Sequence, residues 1–232
     1  MAPNTAVNGS LQGSADGKWS TAGAKQFQLH TDLSVANLVA KSPELQGDVI
    51  QLDRASLNIQ VTTKDDTITV EQMTFTSDVA SAQAVANVQS SQLEFADWRA
   101  IVTTILDANQ FEASGDVQLV PLTGMLKNSL ALRADTQVTG GQVKWSLQRQ
   151  ADADQRTLTA TIESKGIAAS RPSMEIAPRG PINITLALRE ADRQIRLTKL
   201  CVSLLSWDCE APAGWIKAVW RLGFIWGVWQ AS

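Results

Sequence analysis

One histidine, two cysteines and three pairs of acidic residues are what this 232-residue chain offers for chemistry. His30 stands beside Thr31 and Asp32, with no nucleophile near it in sequence. A Ser-His-Asp site would have to be built on this one ring from distant residues. A hydrolase using His30 is therefore the remote reading, and a structural histidine the plainer one. Zinc sites built on several histidines are excluded outright. Cys201 and Cys209 are eight residues apart, a spacing foreign to CxxC redox and zinc-knuckle patterns. They read as two small, partly buried thiols whose redox state the sequence leaves open. Asp65-Asp66, Asp152 with Asp154, and Glu190 with Asp192 could form carboxylate pairs, yet each falls in a predicted hairpin turn, where acids are solvated. Thr139-Gly140-Gly141-Gln142 lacks the Lys-Ser of a phosphate loop and reads as a turn or bulge. The sequence thus predicts a protein that is not an enzyme and takes no metal or cofactor.

The elements behind these residues are mostly strands. Leu57-Asn58-Ile59-Gln60-Val61-Thr62 alternates apolar and polar, and Thr67-Ile68-Thr69-Val70-Glu71-Gln72 repeats this after a charged turn. Gln142 to Leu147 pairs in the same way with Thr157 to Glu163, and Ile182 to Leu188 with Ile195 to Thr198. Strands dry on one face and wet on the other predict antiparallel hairpins, since buried parallel strands read as continuous apolar runs. Three short helices are expected to pack on the sheet: 32–41, 96–109 with Asp97 as N-cap, and 121–129 with Pro121 in the first turn.

Composition narrows the partners. Apolar residues make up 44% and charged residues 19%, and the net charge of −3 provides no basic field for nucleic acid. Met1-Ala2-Pro3-Asn4-Thr5 has neither the basic nor the apolar region of a secretory signal. An internal repeat runs beneath the hairpins, about 27–90 and 111–211. Asp32–Leu38 aligns with Asp116–Leu122, and Gln51–Ile59 with Gln137–Trp145. Such repetition predicts an elongated stack of β-units over 1–211. Residues 212–232 differ in style. Five of the eight tryptophans lie in the last 26 residues, and Trp215, Trp220, Trp226 and Trp229 are candidates for a membrane interface. Lys217 and Arg221, at about 2.5–3.5 kcal/mol each near a span's centre, make this tail a poor transmembrane segment. Packing of the tail on the sheet is the plainer alternative.

Ser114–Leu119, the helix after Pro121, and Val138-Thr139-Gly140-Gly141-Gln142-Val143-Lys144-Trp145-Ser146-Leu147 form one unit. That unit resembles the strand, short helix and V-T-G-G strand of AsmA-like proteins, relatives of TamB. Gly180–Ala187 and Ile195–Ser203 continue the likeness, which covers most of residues 6–210. The resemblance implies a mainly β, twisted antiparallel sheet with a few covering helices, forming an open apolar groove. It implies a periplasmic protein, anchored at the inner membrane, that passes phospholipid between membranes during outer-membrane biogenesis. This chain shows no such anchor, and its Trp-rich tail departs from the pattern. Groove candidates are Leu57, Ile59, Val61, Ile68, Val70, Val143, Trp145, Leu147, Ile182, Ile184 and Leu186. Expected partners are phospholipid, a membrane reached through the parent protein or the tail, and further copies of the chain joined end to end at open sheet edges. The competing expectation is a structural β-repeat scaffold or adhesin-like module with a filled core and no ligand.

Overall fold

A computed structural model describes residues 5–20, 26–92, 98–152, 155–172, 174–176, 180–191 and 194–204. The strands are β1 (Ala6–Ser20), β2 (Gln26–Lys41), β3 (Val49–Lys64), β4 (Thr67–Ser77), β5 (Ala80–Gln89), β6 (Gln110–Gln118), β7 (Gln137–Asp152), β8 (Gln155–Arg171), β9 (Met174–Ile176), β10 (Ile182–Ala191) and β11 (Gln194–Leu204). Helix α1 (Trp98–Asp107) precedes β6, and α2 (Leu119–Met125) follows it. All eleven strands belong to one sheet, ordered β1-β2-β3-β4-β5-β6-β7-β8-β10-β11, with β9 paired to β8. Every pairing is antiparallel. The fold is mainly β: among the described residues, one open antiparallel sheet with two short α-helices. A helical turn, Pro43–Leu45, joins β2 to β3, as α2 joins β6 to β7.

The three predicted hairpins are β3–β4, β7–β8 and β10–β11, each longer than its alternating stretch. Asp65 adopts φ +52° in the two-residue turn between Lys64 and Thr67, a conformation aspartate tolerates well. The helix expected at 32–41 is instead the second half of β2. Its apolar spacing suits either element, but β1 and β3 flank this segment and pair with it along its length. Those ladders outweigh a weak local helix preference that Val35 and Asn37 lower further. Asn37, at φ +54°, marks where the apolar positions of β2 change parity, from Leu33 and Val35 to Leu38 and Ala40. The β3 strand changes phase opposite it, so Val35 still faces Ala55 and Leu38 faces Leu52. The Thr139–Gln142 stretch is a bulge in β7, with Gly141 at φ +129°.

Two small packed clusters anchor the sheet. The first lies under α1, where Leu106 and Ala108 are fully buried and Val88 and Leu158 nearly so. Arg149 donates to the carbonyls of Leu106 (3.0 Å) and Asn109 (2.8 Å), satisfying acceptors at the helix end, and Arg156 pairs with Asp107. The second lies at the opposite end of the strands. Residues 49–54 of β3 and 137–141 of β7 run past the last pairings of β4 and β6, leaving a notch. The notch is filled by α2 and the turns that follow it. The buried carboxylate of Asp48 accepts from the backbone N–H groups of Ser129 (2.7 Å) and Asn128 (3.2 Å), and Ser129 Oγ donates to Leu45 O (2.8 Å). Burial pushes the Asp48 pKa up, but the Ser129 and Asn128 N–H groups more than offset this and hold it below the usual range.

Candidate functional site

Register decides which side chains share a face. Gly13, Leu33, Leu57, Phe75, Ala82, Gly115, Trp145, Ile162, Ile184 and Val202 are successive cross-strand partners through all ten strands of the main path. The adjoining row is Ala15, Thr31, Ile59, Met73, Ala84, Ala113, Leu147, Ala160, Leu186 and Leu200. Thr31 is its only polar member. On the opposite face, Gln12, Ser34, Ser56, Thr76, Ser81, Asp116, Lys144, Glu163, Asn183 and Ser203 line up in the same way, all of them polar.

All eleven groove candidates lie on the apolar face. Val143 and Ile182 stand in a third row, both facing Ser164. Val61 faces Val70, while Ile68 faces Thr63 and Val88. Alternation alone would have put Val70 and Met73 on opposite sides. The extra residue at Glu71, where β4 slips register against β3, returns both to the same face. The sequence reading missed Phe75, Met73, Ile162 and Leu200, although Phe75 and Ile162 already alternate with polar neighbours.

Among the described residues, the apolar face is largely uncovered. Met73, Ile162, Leu200 and Val202 keep 36%, 41%, 44% and 39% of their surface exposed, and the other large members of the two rows are half-buried. Helix α1 covers one end of the face and α2 packs chiefly on β7. Trp145 packs closely against its partner Gly115, where an added Cβ would stand 2.9 Å from the indole. The wide aromatic side chain fits there because its neighbour has none.

His30, Asp32 and Asp116 lie on the polar face, while Arg149, Arg156 and Glu190 stand on the apolar face at its α1 end. His30 Nε2 lies 2.7 Å from Asp32 Oδ2, and the Asn58 amide donates to Oδ1 of the same carboxylate. The Asn58 hydrogen bond is the main reason the Asp32 pKa is lowered, with His30 adding to it. Asp116 is likewise lowered by hydrogen bonds from Ser81 and Gln142. Asp65 and Asp66 are exposed in their turn, and Glu190 sits 3.6 Å from Arg156. Cys201 is a free, half-buried thiol on β11. Cys209, Asp154, Asp192 and the interface candidates Trp215, Trp220, Trp226 and Trp229 lie outside the described residues. Among the described residues no cluster of three or more His, Cys, Asp or Glu could hold a metal ion, and no helix is long and apolar enough to cross a membrane. No protein-family model matches the chain, and neither a curated protein nor a solved structure matches it.

Proposed function

We propose that the apolar face holds phospholipid acyl chains, and that the chain is a segment of an AsmA-like protein conducting lipid between membranes. One observation carries the reading: two adjoining apolar rows cross ten strands and leave large side chains such as Ile162 and Leu200 partly in water. A contiguous apolar surface of this kind marks a binding site for something apolar. At about 4.8 Å per strand, ten strands span roughly 43 Å. One leaflet of a bilayer has a hydrocarbon depth of about 15 Å, so the rows have room for two tails end to end. Each buried methylene contributes about 0.8 kcal/mol, which makes polar contacts to the tails unnecessary. The head group stays in water at the open side of the face, and no reacting side chain or cofactor is required. The likeness of residues 114–147 and 180–203 to AsmA-like proteins favours lipid over other apolar occupants. In that setting the segment works in the periplasm, with membrane contact through a parent protein or the Trp-rich tail.

The test is native mass spectrometry of the full chain purified without detergent, followed by organic extraction. Phospholipid at defined stoichiometry is expected. Ile59→Asp and Ile184→Asp should each reduce it at least tenfold with the β-sheet circular dichroism unchanged. Ile162→Asp, at a position that already meets water, provides a third variant if either of those fails to fold. Absence of lipid from the wild-type chain, or full lipid content in the folded Asp variants, would refute the proposal and favour the scaffold.

A further inference from the structure

The two outer strands of the main path differ from the eight between them. Among the described residues, β1 pairs only with β2 and β11 only with β10. Among those residues each presents one open edge of backbone N–H and C=O groups. Native sheets protect such edges with proline, repeated lysine or a short strand. The 15 residues of β1 contain no proline and one lysine, every one of them is exposed, and Leu11 and Trp19 each keep 67% of their surface in water. The 11 residues of β11 also contain no proline.

The geometry points to head-to-tail joining of copies of this chain, with β1 of one copy pairing to β11 of the next so that the apolar face runs on without a break. Three features of the two edges select this occupant. The main path has ten strands, each antiparallel to its neighbours, so its first and last strands run in opposite directions. A copy added by continuing the sheet thus meets β11 with β1 antiparallel, the same ladder found everywhere else in the fold. Second, the row members on β1 are small, Gly13 and Ala15, while those on β11 are Val202 and Leu200. Leu33 already leans across Gly13, where an added Cβ would stand 2.5 Å from its Cδ2, so large side chains reach the β1 edge from within. Carried straight across the junction, the rows set Gly13 opposite Val202 and Ala15 opposite Leu200.

Third, the same register brings Gln12 to Ser203, Ser14 to Cys201, and Asp16 to Lys199 on the polar face. Opposite charges directly across a pair favour it. A slip of two residues one way puts Lys18 opposite Lys199, and a slip the other way puts Ser14 there. Because a different surface is used on each partner, the contact is heterologous and does not close on itself at two copies. With each strand rotated about 20–25° from the last, successive copies form a twisted ribbon.

Cysteine cross-linking tests the register directly, because Cys201 already occupies one side of it. In the full chain carrying Cys209→Ser, Ser14→Cys is expected to form inter-chain disulfides under copper–phenanthroline at least tenfold faster than Gln12→Cys. A ladder of dimers, trimers and higher species should appear, and Cys201→Ser should abolish it. Sedimentation of lipid-extracted protein should show mass rising with concentration. Either Ser14→Pro or Ala15→Pro should suppress the rise, since consecutive residues direct their N–H groups alternately to β2 and to the open edge. Three results would overturn the inference: a monomer at every concentration, Ser14→Cys no faster than Gln12→Cys, or cross-links that survive Cys201→Ser and so report β1-to-β1 pairing. All of these are read without lipid, so they stand or fall apart from the lipid proposal.

Discussion

Leu158 and Ile162 lie four residues apart on β8, on the same face of the sheet, yet the first is 3% exposed and the second 41%. Truncating each to alanine tests whether the apolar face is open in the lipid-free protein. Leu158 sits beneath α1, so Leu158→Ala leaves a cavity closed on all sides, and a loss of about 3 kcal/mol is expected within the usual 2–5 kcal/mol range. Ile162 buries only about three-fifths of its surface. Full burial of such a side chain contributes about 1.5–3 kcal/mol, and no enclosed cavity forms here, so Ile162→Ala should cost about 1 kcal/mol. For a chain of this length the difference of about 2 kcal/mol corresponds to about 4–8 °C in Tm. Thermal unfolding of lipid-extracted protein, followed by far-UV circular dichroism, reads it. Equal costs at the two positions, within about 0.5 kcal/mol, would mean that Ile162 is packed against another element. The apolar face would then be closed in the lipid-free protein.

Other consequences follow from the two packed ends and from the glycine under Trp145. The folded-state pKa of Asp48 lies below its unfolded value, so its carboxylate contributes stability above pH about 4 and loses it as pH falls through the folded pKa. Asp48→Asn should therefore be less stable than wild type at pH 7, with the gap closing below pH about 4 in melts from pH 2.5 to 7. A gap of constant size across that range would refute the role given to the Ser129 and Asn128 N–H groups. Gly115→Ala drives a Cβ into Ser81 O and to 2.9 Å from the Trp145 ring. It should destabilise by about 1–3 kcal/mol and change the tryptophan emission, and a silent substitution would contradict the close packing of Trp145.

The hairpins were legible because alternation is a local signal. Leu57, Ile59 and Val61 around the Asp65-Asp66 turn, or Val143, Trp145 and Leu147 before Thr157, predict a half-wet antiparallel strand whatever the rest of the chain does. The helix α1 was legible for a similar reason, since Ile101, Val102, Ile105 and Leu106 recur at helical spacing. β1 was not read as a strand: Gly9, Gly13 and Gly17 lower its strand preference and interrupt the apolar positions Val7, Leu11, Ala15 and Trp19, and the ladder to β2 fixes it. The second half of β2 read as helix because its spacing was ambiguous, and neighbours on both sides decided otherwise.

The candidate face divides along the same line. Residue order determined that each strand has one apolar and one polar side, because side chains alternate with a period of two. It could not determine that these sides coincide across ten strands. That depends on register, and a one-residue slip reverses every side chain of a strand. The extra residue at Glu71 and the phase change shared by Asn37 and Asp53 keep the apolar sides together, and both acquire meaning only from their partners. Whether the face is covered was decided last. Two short helices seal the ends around Leu106 and Asp48, and among the described elements none covers Trp145, Ile162 and Ile184 between them; cover comes from distant elements and leaves no mark on a strand's own pattern.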